Sequence, residues 1–246
     1  MIDKDLLIKF VELLPGSKIE KRVGYSINKN NYHLLSPAEK YIMNTFNLYN
    51  RLTGLLEDLD RVIIFTKRYP ASNYFEKNNI DKLAYLKYHS EVFFHKIHTV
   101  LEVMKLILNE VYELKIAEKD CTWNKLKNSQ KVNQTKAFKI IELFYKSFDK
   151  IIEARHRNTH RALYNSGLDL EVESTLEIYK LYEKLDMEID SDFYKYNPKT
   201  FLDYKLKLLR KERVTFMKNG KDVAHEYTDM FMNEILLIAI QKHSKK

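Results

Sequence analysis

Phe93-Phe94-His95-Lys96-Ile97-His98-Thr99-Val100-Leu101-Glu102-Val103-Met104-Lys105-Leu106-Ile107-Leu108-Asn109-Glu110-Val111 carries the repeat that decides the fold class. Phe93, Ile97, Val100, Met104, Ile107, Val111 and Leu114 recur in alternating steps of four and three, which puts them on one face of an α-helix. The pattern predicts a long amphipathic helix over residues 80–118. That helix falls inside an interval, Ala71–Ser166, that holds no glycine and no proline, although the 246-residue chain has 5 and 4 of them. Strands and tight turns need such punctuation, so the class is all-α.

The same logic extends outward. Ser36-Pro37 supplies an N-cap followed by proline in the first turn, and the helix it starts should run to about Arg68, ahead of Pro70. Residues 5–14 suit a short helix stopped by Pro15-Gly16, and residues 22–35 read as extended or irregular. Cys121–Gln134 is polar and poorly periodic, the mark of a loop. A third helix follows with Ala137, Ile141, Phe144, Phe148 and Ile151 inward, ending near Tyr164–Gly167. A shorter acidic helix covers residues 174–185. Asn197-Pro198 starts the last helical region, with a break expected at Asn219-Gly220. The expected organisation is one domain over residues 1–246. A short irregular segment, 1–35, precedes a bundle of long antiparallel helices over 36–246.

The formal net charge is +8, and it is uneven. Residues 169–192 carry nine acidic side chains against Lys180 and Lys184, which leaves the rest of the chain strongly basic. A basic body suits a polyanion, through phosphate contacts and counterion release. The single cysteine, Cys121, excludes an intramolecular disulfide framework and fits a reducing cytoplasm. No apolar run reaches membrane-spanning length, and the start of the chain, with Asp3 and Asp5, has no signal-peptide plan. A cytoplasmic protein without a membrane association is therefore expected. No glycine-rich phosphate loop and no dinucleotide fingerprint is present.

The richest chemistry lies at the end of the third predicted helix, in Ala154-Arg155-His156-Arg157-Asn158-Thr159-His160-Arg161. Arginine presents a fixed fork of donors to a phosphate, and histidine exchanges protons near neutrality. Continued without a break, the inner stripe of that helix reaches Arg155 and Asn158, so polar groups replace hydrophobes on a face that was turned inward. A charge carried inward needs a partner or a water-filled cleft. Along one unbroken helix Arg155 and His160 would lie about 140° apart, so a helix break or a second subunit would help them converge. The bland alternative is a helix that outruns its core.

Arg155, His156 and His160 resemble the signature of the HEPN superfamily: an arginine, then Asn, Asp or His, with a histidine after four to six intervening residues. Arginine-to-histidine spacing alone is uninformative, because 9 Arg and 8 His give roughly one chance match. Requiring Asn, Asp or His in the second position lowers this to about 0.14, and one site in the chain satisfies it. The resemblance implies an all-α, dimeric, metal-independent endoribonuclease of a toxin–antitoxin or phage-defence system, needing no cofactor. By the same resemblance His160 is the general acid/base, Arg155 holds the scissile phosphate, and His156 occupies the polar slot. Arg157, Asn158 and Arg161 are auxiliary RNA-binding candidates, and Tyr164 is placed to stack on a base. The implied partners are RNA, a second copy of the chain and an antitoxin. Some family members have lost activity, so a non-catalytic module that binds nucleotide, RNA or protein is the alternative. A helical interaction protein with no site is a third.

Two further clusters have ordinary explanations. Glu91, His95, His98 and Glu102 form a polar stripe that reads as solvent-facing, with a metal site or orientation of the motif histidines as alternatives. Lys205, Lys207, Arg210, Lys211 and Arg213 read as a solvated face, with RNA-backbone contact as the alternative.

Overall fold

A computed structural model describes residues 1–70, 73–153 and 167–244. Among them there is no strand, so the all-α expectation holds. The chain divides into two compact units. The first comprises Met1–Glu57, Ile97–Asp149 and Asp222–Lys246, and the second Asp58–Lys96 and Lys150–Lys221.

In the first unit, helix α1 (Lys4–Glu12) is capped by the Asp3 carboxylate, which accepts from the amides of Asp5 and Leu6 and leaves Phe10 fully buried. Residues 22–35 are irregular, as expected, with a single 3₁₀ turn at Tyr32–Leu34. The segment is fastened by Arg22, which donates to the Leu34 carbonyl at 2.5 Å and pairs with Glu39. Glu39 also closes a reciprocal cap on α2 (Pro37–Lys67). Its carboxylate accepts from the Ser36 amide at 2.8 Å, and its own amide donates to the Ser36 hydroxyl at 3.3 Å.

Helix α3 (Asn73–Lys77) is a short turn ahead of α4 (Lys82–Val111). The α4 stripe is the core that the repeat predicted: Phe93, Ile97, Val100, Met104, Ile107 and Val111 are all fully buried. Its end is a correction, seven residues short of Glu118. The Asn109 side chain reaches past the helix, donating to the Ile116 carbonyl at 2.8 Å and accepting from the Ile116 amide at 3.1 Å. Glu113 and Lys115 take left-handed φ of 52° and 58°, and the Leu114 amide returns to the Asn109 carbonyl.

The expected loop at 121–134 instead contains helix α5 (Trp123–Lys127), capped by Thr122, with Leu126 and Val132 fully buried. Its periodicity was hidden because two apolar anchors suffice for so short a turn. Helix α6 (Lys136–Ser147) is capped by Thr135 and buries Ala137, Ile141 and Phe144. It then breaks at Phe148, at φ −115° and ψ 14°, where the expected helix ran on, and helical backbone resumes over 149–153. Phe148 is itself buried, its ring 4.6 Å from that of Phe144, so a packing contact accompanies the break.

In the second unit, helix α7 (Gly167–Lys184) is already helical seven residues before the expected start at Ser174. Helix α8 (Ser191–Tyr196) is capped by Asp190. Helix α9 (Lys199–His243) is continuous for 45 residues, straight through Asn219-Gly220. An interior glycine costs about 1 kcal/mol against alanine, but Met217 and Ala224 on either side are fully buried, and that burial wins.

The second unit's core joins Leu83 and Leu86 of α4, Val172 and Tyr179 of α7, and Leu202, Leu206 and Leu209 of α9. Within this unit α2 and α4 run antiparallel, with Lys96 bonded to Asp58 and Tyr85 to Phe65. Helices α4 and α9 run parallel, with Lys82 bonded to Asp203 and Phe93 against Phe216.

Candidate nucleic-acid site

The residues proposed from the motif, Arg155, His156, Arg157, Asn158, His160, Arg161 and Tyr164, lie outside the described residues. What the structure describes is their frame. On the near side, Ile151 and Ile152 are both buried, at 7% and 3% exposure, so residues 149–153 are held by apolar packing. A turn at Phe148 interrupts the helix, yet Phe148 and Ile151, the last two predicted stripe positions before the motif, are both buried; the continuation of the stripe to Arg155 and Asn158 falls outside the described residues.

On the far side, α7 starts with a carboxylate in its first turn, favourable at the positive end of a helix dipole. That residue, Asp169, is 1% exposed and paired with Arg213 of α9, which is also buried. Two more pairs follow: Lys205 of α9 bonds Glu171 at 2.5 Å, and Lys87 of α4 bonds Glu173 at 2.6 Å. Three charges of the acidic segment are therefore compensated inside the second unit.

This corrects the basic run. Lys207 and Lys211 are exposed as expected, but Lys205 and Arg213 are buried at 8% each and serve as internal counter-ions. The signal available in the sequence was the pairing of opposite charge: an acidic amphipathic helix and a basic one, each needing to bury an apolar stripe. Which faces meet depends on packing, and spacing along one helix does not give that.

The stripe of Glu91, His95, His98 and Glu102 is described in two parts. In the second unit His95 is exposed and Glu91 half-buried. In the first unit the His98 ring is largely buried, its Nε2 3.5 Å from Glu102. Glu102 also accepts from the buried Lys105 at 2.7 Å. Glu102 thus faces a cation and a histidine within its own helix, and this half of the stripe is not simply solvent-facing. No cluster of three His, Cys, Asp or Glu suited to a metal occurs among the described residues. Cys121 is buried against the Lys105 carbonyl, and burial raises its thiol pKa, which makes it a poor nucleophile. No helix among the described residues is long and apolar enough to cross a membrane.

In comparison with known proteins, the model of the Cthe2314-like HEPN family matches residues 44–197. That span is more than half of the chain and contains Arg155, His156 and His160 as well as α4 and α7. No curated protein and no solved structure matches the chain. With a family match of this extent, and no strand among its described residues, the chain belongs to the HEPN superfamily.

Proposed function

We propose that this protein is a metal-independent endoribonuclease of a toxin or defence system. The observation that carries the reading is the strict motif: Arg155, His156 and His160 stand at the signature spacing, once in the chain, inside the span matched by the family. In this mechanism the RNA's own 2′-hydroxyl attacks the adjacent phosphorus while the bond to the 5′-oxygen breaks. His160 moves the protons, and the Arg155 guanidinium binds the phosphate and stabilises the charge that develops on it. His156 orients the pair. Arg157, Asn158 and Arg161 contact neighbouring phosphates, and Tyr164 stacks on a base. Because Arg155 supplies the positive charge, no metal ion is required.

The active form is a homodimer that brings two motifs to a shared cleft across a two-fold axis, and an antitoxin blocks that cleft. The test is hydrolysis of end-labelled RNA by the purified protein in excess chelator. The expected products carry 2′,3′-cyclic phosphate and 5′-hydroxyl ends, and DNA is spared. Products with 5′-phosphate ends, or loss of cleavage on chelation, would overturn the mechanism. RNA binding without any cleavage would make this a non-catalytic member of the superfamily.

A further inference from the structure

Helix α7 carries apolar residues on two opposite sides. Val172 and Tyr179 face inward, in the core shared with α4 and α9. The other side runs Leu170, Ile178, Leu181 and Leu185, in steps of eight, three and four, with the exposed Ser174 in the remaining slot. All four apolar side chains are exposed, Leu181 and Leu185 at 55% each. Single exposed leucines are ordinary, but a helical stripe of them is a patch. The helix then closes in a fixed turn. The Asp186 amide donates to the Glu183 carbonyl at 3.2 Å and the Met187 amide to the Tyr182 carbonyl at 3.0 Å, with Asp186 at a left-handed φ of 51°. Met187, two residues beyond Leu185, is 56% exposed.

This apolar end is also acidic: residues 181–192 hold five carboxylates and one lysine. Asp169, Glu171 and Glu173, at the other end of α7, are met by Arg213, Lys205 and Lys87. Glu183, Asp186, Glu188 and Asp192 are exposed and have no cationic partner among the described residues. Folding gains nothing from them. Carboxylates in and just after the last turn of a helix meet the negative end of its dipole, and glycine would take the left-handed φ of Asp186 at lower cost. Local costs of this kind, beside exposed apolar groups, mark a binding surface.

We propose that the outer face of α7 docks a basic amphipathic helix of a partner protein, its apolar stripe on Ile178, Leu181 and Leu185 and its cations toward Asp186 and Glu188. Helices recognised in this way present anchors at the same steps of three and four, and opposite charge along the rim sets the orientation. Anionic polymers and anionic lipid surfaces are repelled here. Packing the face on its own copy about a two-fold axis would set acid against acid. None of the residues assigned to cleavage takes part.

The experiment titrates the full chain with peptides of equal length: an amphipathic leucine–lysine helix, a leucine–glutamate helix of the same pattern, and a lysine–serine peptide that keeps the charge without the apolar face. The readouts are calorimetry and the Met187 methyl resonance, assigned by its loss in Met187→Leu. The leucine–lysine peptide should shift that resonance and bind at least about tenfold more tightly than the other two. Leu181→Ser with Leu185→Ser should weaken it about tenfold, whereas Leu143→Ser, at a comparably exposed leucine of α6, should not. Asp186→Gly should weaken it about two- to fivefold while raising the melting temperature, a split that a purely structural role would not give. A Met187 resonance unmoved by the leucine–lysine peptide, equal binding of either control peptide, or full binding by the double serine variant or by Asp186→Gly would each overturn the proposal. Self-association of the wild type that the double serine variant abolishes would overturn it too, by making a second copy the occupant.

Discussion

Arg213 of α9 and Asp169 of α7 form a buried ion pair across 44 positions of sequence, 8 residues after Arg161 of the motif. Burying both charges is costly, and the pair persists because each partner removes the other's penalty. Removing one charge leaves the burial of the other less compensated. Asp169→Asn should therefore lower stability by about 3–5 kcal/mol in urea unfolding, whereas Asp169→Leu combined with Arg213→Met should recover most of the loss. A single-variant cost under about 1 kcal/mol, the range of exposed pairs, would show that the pair is effectively solvated.

His160→Ala should reduce RNA cleavage by about 10²–10⁴, the usual contribution of a positioned proton shuttle. Arg155→Lys should be nearly as damaging, because an ammonium cannot reproduce the planar fork. Both variants should retain wild-type helical circular dichroism. An active His160→Ala protein would remove histidine from the mechanism.

Assembly and charge make a linked prediction. Light scattering should give the mass of a dimer, and RNA affinity should fall steeply with added salt as counterions are released. A monomer at working concentration, or binding indifferent to salt, would count against the shared cleft and the phosphate contacts respectively.

Glu39 gives the fold an acid-sensitive point. Hydrogen bonds from Arg22, with lesser help from Ser36, hold its carboxyl down at about 2, against 4.5 ordinarily. A depressed carboxylate stabilises the fold fully above the unfolded value and loses that contribution as pH falls toward the folded one. The stability difference between wild type and Glu39→Gln should therefore be constant above about pH 5 and shrink between about 4.5 and 2. A difference independent of pH across that window would refute the assignment.

His89 works in the opposite range. Burial lowers its pKa, so the unfolded chain takes up the proton first and stability falls as pH drops below about 6.5. Melting followed between pH 7.5 and 5.5 should show this slope in the wild type, and His89→Gln should flatten it. Equal slopes would mean that the ring is hydrated in the folded protein.

Two helix starts, at Ser36-Pro37 ahead of α2 and Asn197-Pro198 ahead of α9, were legible because their causes are local and need only a few neighbouring residues, whereas the start of α5 was read as loop. Helix ends were less so. Nothing in the stripe of α4 announces that the Asn109 side chain will claim Ile116, and the breakers Asn219 and Gly220 were overridden by the burial of Met217 and Ala224. The all-α class survived because it rested on a long unpunctuated interval. The solvated face assigned to Lys205 and Arg213 did not, because their acceptors sit on another helix. The motif itself was legible as residue types at a spacing, and the inner stripe leading toward it was legible as far as Phe148 and Ile151, both buried on either side of a turn that no residue in the stripe announces.

Helix α9 contributes to both units, with residues up to Lys221 in one and from Asp222 in the other. Leu202, Leu206 and Leu209 complete the core built on Leu83, Leu86 and Val172. In the other unit the Asp3 amide, near the start of the chain, donates to Asn233 at 2.8 Å. During synthesis on the ribosome, Leu83, Leu86 and Val172 therefore stay uncovered until α9 emerges. Asp3 waits for the same helix. The nascent chain must pass through a long interval with part of its apolar core on show, and closing both cores waits for one and the same helix.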